Sequence, residues 1–237
     1  MSHFRIGEEN WWRLRRLKLS KAAESLLDSQ GVRVISSKDP LEQKVFLDFV
    51  KARYEELEIL PPHCALPAYP WRFFAAYLPG QKGPASCAAL LEERLPCAEV
   101  YPKELRKIKG WRRKVAEITL LATRADWEAR NTIFHLFRAI YRYATRHKIT
   151  DLVVCINPKH ADFYEKILLF RRKGERKKHP FLPGLAVILE HLDLKRAPRE
   201  YFRVYQHFPP EFNLYQFFAG QEIANPSRQN RRFRIGL

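Results

Sequence analysis

Glu117 stands in the middle of KVAEITLLAT, a run of β-branched and apolar residues from Lys114 to Thr123. A strand here puts Val115, Glu117, Thr119 and Leu121 on one face, so a carboxylate sits among apolar neighbours. Desolvation then raises its pKa toward that of a general base working near neutrality. The same residue reads equally as a structural partner for an arginine. Further along, NPKHADFYEKILLF adds His160 and Tyr164 to the titratable set. The imidazole can relay a proton or bind an acceptor carboxylate; its bland reading is an exposed, idle side chain. The bland reading of Tyr164 is a ring packed in the core. Together the three side chains make a set for moving protons.

The elements around them have clear periods. From Arg130 to His147, Ile133, Phe137, Ile140, Tyr141 and Ala144 recur at helical spacing, with Arg138, Arg142 and Arg146 on the opposite, outward side. Asp151 to Ile156, DLVVCI, is short and almost wholly apolar, as expected of a parallel strand covered on both faces. Strand, helix and strand form one right-handed crossover. Asn157 and Pro158 supply an N-cap and a first helical residue, so the next helix begins at the carboxyl end of a buried strand, where such sheets place ligands. It should present Phe163, Tyr164, Ile167 and Leu168. Elsewhere the pattern predicts a first strand over Val32–Ile35, a helix over Leu41–Leu57, and paired strands Arg72–Leu78 and Ala85–Leu91 around the turn PGQKGP. A last strand covers Leu185–Leu194. A basic helix beginning near Trp11, with Trp12, Leu19 and Ala23 on one face, should dock on the domain; a weak, reversible membrane contact is its alternative use. Eight aromatics between Tyr201 and Phe218 could wall an acyl tunnel, with packing across the sheet as the default.

Asn157, the Tyr seven positions on and the Phe after it resemble the N-x-x-A-x-x-x-Y-x-x-x-G-F signature of the GNAT acyltransferase superfamily. VAEIT together with NPKHADFYEKILLF is similar to the FeeM-type N-acyl amino acid synthases, relatives of the acyl-homoserine-lactone synthases. The resemblance spans roughly Val32 to Leu194, and PGLAVILEHLDL is similar to the family's last strand. It implies an α/β (α+β) fold, with a GNAT-like mixed, mainly antiparallel central sheet flanked by helices. It also implies transfer of a fatty acyl chain from acyl carrier protein to the amine of an amino acid or similar small amine. Glu117 is then the base, Tyr164 the acid for the departing thiolate, and His160 an acceptor or relay residue. Thr119, Leu121, Thr123 and Asn157 would bind substrate. Arg124 and Arg130 would flank the phosphopantetheine phosphate beside a helix N-terminus. Acyl-phosphopantetheine on the carrier protein is the donor, and no tightly bound cofactor or metal is expected.

The departures are specific. A CoA-using member carries R-x-x-G-x-G between this strand and helix, so that backbone N–H groups hold the pyrophosphate. Here the connection reads RADWEARNT, and Trp127 and Glu128 would crowd and repel a diphosphate. After Glu117-Ile118-Thr119 the family's Arg is Leu120, and the Gly of L-G-F is Leu169.

With 43 Lys plus Arg against 26 Asp plus Glu, a net charge of +17, the surface expects an acidic partner. KELRKIKGWRRK and RRKGERKK, with Arg112, Arg113 and Arg171, would dock an acidic carrier protein beside the active site; the plain alternative is solubilised loops. Nucleic acid is the competing acidic partner, since Trp111, Phe202, Tyr205 and Phe233 lie near basic residues, but no nucleic-acid motif accompanies them. The alternatives to carrier-dependent transfer are therefore a CoA-dependent GNAT acetyltransferase and a basic nucleic-acid-binding protein with an inactive acyltransferase core. Cys64, Cys87, Cys97 and Cys155 form no C-x-x-C pair, and no run has the length or apolarity of a transmembrane helix. These features predict reduced thiols and a cytoplasmic protein, with a peripheral position at the inner face of the membrane as the alternative. The expected organisation is an N-terminal amphipathic extension (1–30), an acyltransferase domain (31–194) and an aromatic, basic C-terminal extension (195–237).

Overall fold

The computed structural model describes residues 8–19, 31–61, 66, 72–126, 131–179 and 185–219. Its centre is an eight-stranded sheet in the order β1-β2-β3-β4-β5-β8-β6, with β7 also paired to β8. The strands are β1 (Arg33–Ser37), β2 (Arg72–Tyr77), β3 (Ser86–Leu91), β4 (Val115–Thr123), β5 (Asp151–Ile156), β6 (Arg171–Arg172), β7 (Lys177–Lys178) and β8 (Ala186–Asp193). Among the described residues only β4 and β5 run parallel, joined by the crossover helix α5 (Thr132–Arg146), and every other pairing is antiparallel. The mixed, mainly antiparallel sheet flanked by helices is the expected architecture.

One face of the sheet is covered by α2 (Pro40–Glu56), α3 (Cys97–Val100) and α4 (Pro102–Ile108), packing Phe46, Val50, Leu105 and Ile108 on Phe73, Ala89, Leu91 and Val153. The other face carries α5, α6 (Ala197–Tyr205), α7 (Leu214–Ala219) and the N-terminal helix α1 (Glu8–Leu19). Leu14 and Leu17 of α1 are buried in that layer while Trp11 and Trp12 stay exposed, so the helix docks on the domain. Trp12 was expected on the docking face with Leu19 and Ala23 but is exposed, and Leu14 and Leu17 take that role; the side chain of Leu19 and all of Ala23 lie outside the described residues. Among the described residues no helix is long and apolar enough to cross a membrane.

Three local features depart from the sequence expectation. First, Leu120 and Leu121 together face Ala88, because the β3–β4 register slips by one residue between Thr119 and Ala122. This bulge turns Leu120 to φ 51° and sends it, with Ala122, into the α2–α4 layer; Leu121 packs on the opposite layer. Glu117 and Leu121 therefore do not share a face. Second, the helix expected from Asn157 is a 3₁₀ turn, Pro158–His160, followed by a π turn, Phe163–Ile167. Third, Arg138, expected on the outer side of α5, is buried, its guanidinium 4.7 Å from the Phe217 ring centroid, because α7 lies across that side. Burial and the nearby Arg142 bring its pKa down to about 10.

The C-terminal aromatics explain the π turn. The hydroxyls of Tyr201 and Tyr205 donate 2.6 Å hydrogen bonds to the carbonyls of Leu168 and Ile167, satisfying groups the widened turn leaves open. Packing across the sheet, the default reading of these rings, is what the structure holds for Tyr201, Tyr205, Phe208, Phe217 and Phe218, while Phe202 is exposed. Tyr205→Phe should leave a buried carbonyl unsatisfied and lower unfolding stability by roughly 1–3 kcal/mol. Urea titration followed by circular dichroism measures this, and an unchanged midpoint would refute the capping role.

The basic run RRKGERKK is pinned rather than free. Its two ends pair with β8, and the Tyr101 hydroxyl lies 2.7 and 2.8 Å from the carbonyls of Glu175 and Val187. Only glycine fits at Gly174, where a Cβ would stand 2.4 Å from the Tyr101 ring.

Candidate active site

The strands β4 and β5 pair only from Val115 and Asp151 to Ile118 and Val154. From Thr119 on, β4 continues to Thr123 with no partner on that edge among the described residues, so a wedge opens toward the carboxyl ends of the two parallel strands. The bulge at Leu120 lies within it. Thr119, Leu121 and Thr123, the expected substrate-binding residues of this strand, all fall along the wedge. Its floor is tied to α2: Tyr54 donates from its hydroxyl to the Leu121 carbonyl at 3.3 Å, and Arg53 Nε to that of Thr123 at 2.8 Å.

Glu117 lies one residue before the last β4–β5 pair, at the apex of the wedge and on the α2–α4 side. It is 2% exposed, and its Oε2 accepts a 2.9 Å hydrogen bond from the backbone N–H of Cys97, the first residue of α3. Burial pushes its pKa up to about 7, and the Cys97 hydrogen bond holds it from rising further. The carboxyl group is thus poised to exchange a proton near neutral pH. Burial pushes the thiols of Cys97 and Cys155 up, with Glu117 adding to both, so neither is a nucleophile at neutral pH. Cys87, Cys97 and Cys155 are free thiols; Cys64 lies outside the described residues.

Tyr164 packs on the other face, its ring edge-on to Phe137, Phe163 and Phe170. Burial raises its pKa first, with the phenol of Tyr54 and the carboxylate of Glu190 adding to it, so Tyr164 keeps its proton. The structure sets Glu117 and Tyr164 in different core layers, on either side of the sheet. Asn157 caps the 3₁₀ turn, its Oδ1 accepting from the Lys159 N–H at 3.0 Å, and His160 is exposed at the end of that turn.

Arg124 follows the end of β4 and is held by Gln81 and Asp126. Arg130, Trp127 and Glu128 lie outside the described residues. α5 begins at Thr132, whose buried hydroxyl donates to Ser86 Oγ at 2.8 Å. Arg112 and Arg113 precede β4 at its other end, roughly 20 Å from Thr119, where the wedge opens, by the ~3.3 Å rise per strand residue. Arg113 bonds Asp151 and Asp193, and Arg171 pairs with Glu200. The structure therefore does not bring the Arg112, Arg113 and Arg171 group to the wedge.

Glu190 is a residue the sequence reading passed over. It lies within β8, opposite Val154, and is fully buried, with neither carboxylate oxygen hydrogen-bonded. Burial and the nearby Glu165 push its pKa up to about 8, against the pull of Arg172. The signal was the one used for Glu117, a carboxylate inside an apolar strand, AVILEHLD.

The crossover, the divergence of β4 from β5 and the bulge beside it define a GNAT-like acyltransferase fold. Residues 86–193 match the N-acyl amino acid synthase FeeM family. Among solved structures, FeeM, an N-acyl amino acid synthase from uncultured soil microbes, shares 20% identity at a TM-score of 0.60, covering 72% of this chain and 95% of its own. A putative N-acetyltransferase from Lactobacillus plantarum shares 16% at 0.50, covering 69% and 99%. The CoA-dependent acyl-homoserine lactone synthase BjaI shares 13% at 0.51, covering 73% and 89%. No curated protein matches the chain significantly. The likeness to the N-acyl amino acid synthase branch, read first from NPKH and VAEIT, is borne out.

Proposed function

We propose that this chain moves a fatty acyl group from the phosphopantetheine of an acyl carrier protein to the amine of an amino acid or similar small amine. The observation that carries the reading is the wedge between β4 and β5 with Glu117, poised to titrate near neutrality, at its apex. A thioester arm extends along Thr119–Thr123 with its carbonyl at the apex. The acceptor nitrogen attacks the carbonyl carbon, the C–N bond forms and the C–S bond breaks. Glu117, from the α2–α4 side and directly or through a water, takes the proton from nitrogen, and Tyr164, on the opposite face and kept protonated by burial, supplies one to the leaving thiolate through the opening between β4 and β5. Asn157 and His160 stand at the carboxyl end of β5, where the acceptor's carboxylate would lie.

The glycine-free connection RADWEARNT favours a donor without the adenosine diphosphate of CoA. Carrier-bound acyl donors should therefore exceed the matching acyl-CoA by at least about tenfold in specificity, equivalent to ~1.4 kcal/mol of transition-state binding. The second reading, a CoA donor, is favoured by the shared fold with the CoA-dependent BjaI. Steady-state rates with both donors of one chain length, a mixed amine pool and product detection by mass spectrometry decide between them. Comparable specificity for acyl-CoA would overturn the carrier preference.

A further inference from the structure

A cavity of about 520 Å³ lies at the opposite end of the sheet from the wedge, where β5 begins and β8 ends. That volume is ample for a small organic ligand. Its wall is a connected polar network. Asp151, 1% exposed, receives a 2.6 Å hydrogen bond from the Thr150 hydroxyl, lies 2.7 Å from His191 Nε2, and is bridged by Arg113, which also bonds Asp193 at 2.9 Å. A buried carboxylate with partners on both oxygens fixes the imidazole and the guanidinium in place.

The ion pairs of the lining decide the sign of the remaining field. Arg113 answers Asp151 and Asp193, Arg171 answers Glu200, Arg196 also faces Asp193, and Glu104 has Lys177 at 4.0 Å. Lys107 and Lys173 remain, exposed and without an ion pair among the described residues. Their backbones are set: Lys107 is in the last turn of α4, and the Lys173 N–H donates to the Leu189 carbonyl at 2.8 Å. Leu169, in the lining, has left-handed backbone (φ 57°), as does Arg112 (φ 60°), which lies between the lining residues Trp111 and Arg113 and stacks its guanidinium 3.9 Å over the exposed Trp111 ring. Such conformations cost energy in non-glycine residues and collect at ligand sites.

We infer that this cavity is a second binding site, separate from the acyl-transfer wedge, for a small dianion, a phosphate monoester or a dicarboxylate, held by Lys107 and Lys173 in front of the Asp151–His191–Arg113 wall. Two uncompensated cations on a concave, preorganised wall concentrate an anion more than the same charges on an open face. The test is isothermal titration calorimetry of the full chain in about 0.15 M salt, where the Debye length is about 8 Å and loose surface attraction is screened. Inorganic phosphate and succinate are the probes. Saturable binding of phosphate alone assigns a phosphate site, of succinate alone a carboxylate site, and of both a general dianion site. The pair Lys107→Ala with Lys173→Ala should weaken binding by at least about tenfold. The pair Lys38→Ala with Lys44→Ala, which removes the same charge from exposed positions just before and within α2, should change it less than about twofold. Saturable binding of neither probe, or equal weakening in the two double variants, overturns the site.

Discussion

Glu117→Gln should slow acyl transfer by roughly a hundredfold or more while leaving the fold and donor binding intact, the usual scale for removing a general base. Gln is nearly isosteric and retains an oxygen that can accept the Cys97 N–H, so the hydrogen bond at the start of α3 survives. Glu117→Ala is the complementary variant. It strands that N–H in a buried site and should cost about 1–3 kcal/mol of stability as well as the rate. The pH profile separates the two roles. With the carboxyl pKa at about 7, the parent's rate should climb through neutrality as Glu117 loses its proton, and the Gln variant should lose that inflection. Its deficit should shrink at high pH, where more of the acceptor amine is already neutral. A Glu117→Gln variant that turns over like the parent, with Glu117→Ala merely unstable, would leave this carboxyl group a buried cap and nothing more.

What could be read from the chain alone follows the range of the forces involved. The crossover strands and α5 have strong local periods, and their positions lie within a residue or two of expectation: Val115–Thr123, Thr132–Arg146 and Asp151–Ile156. The Asn157 cap is likewise local, a side chain reaching two residues along its own backbone. Features set by distant partners were not legible. RRKGERKK carries no strand signal, yet its ends add to β8 because Tyr101 and the tight approach at Gly174 hold them there. Arg138 repeats on the polar side of its helix, and only the return of α7 buries it. Leu120 and Leu169, two positions where the sequence departs from the family's wording, both take left-handed backbone, at 51° and 57°. The fold thus keeps the bulge and the turn after the π segment with leucine in each. For the site, Glu117 was legible because a carboxylate in an apolar strand is anomalous on its face. The Asp151–His191–Arg113 wall was not, since its members come from separate elements and each is unremarkable alone.

Glu190→Gln should stabilise the protein at pH 8 by about 2–3 kcal/mol and have little effect near pH 4.5. The buried carboxyl has no hydrogen-bond partner, and a pKa raised to about 8 means that the folded state holds its proton far more tightly than the unfolded chain does. Its favourable contribution is complete below the unfolded value near 4.5 and is lost progressively as pH rises to about 8. A full single-site shift would correspond to more, at roughly 1.4 kcal/mol per unit, but the neighbouring Glu165 supplies part of the rise, so part of the shift belongs to the pair and not to Glu190 alone. Gln removes the ionisation and retains a polar side chain of the same size. At roughly 2–4 °C per kcal/mol for a chain of this length, the midpoint at pH 8 should rise by about 4–12 °C. Thermal unfolding of parent and variant from pH 5 to pH 8.5 tests this, and curves that stay parallel across the range would refute it. The same variant bears on catalysis, because the Glu190 carboxylate is one of the charges that keep Tyr164 protonated. Neutralising it lowers the cost of the tyrosinate. If Tyr164 delivers the proton to the departing thiolate, the alkaline limb of the rate profile should move to lower pH in the variant; if its ring only packs among Phe137, Phe163 and Phe170, that limb should stay where it is.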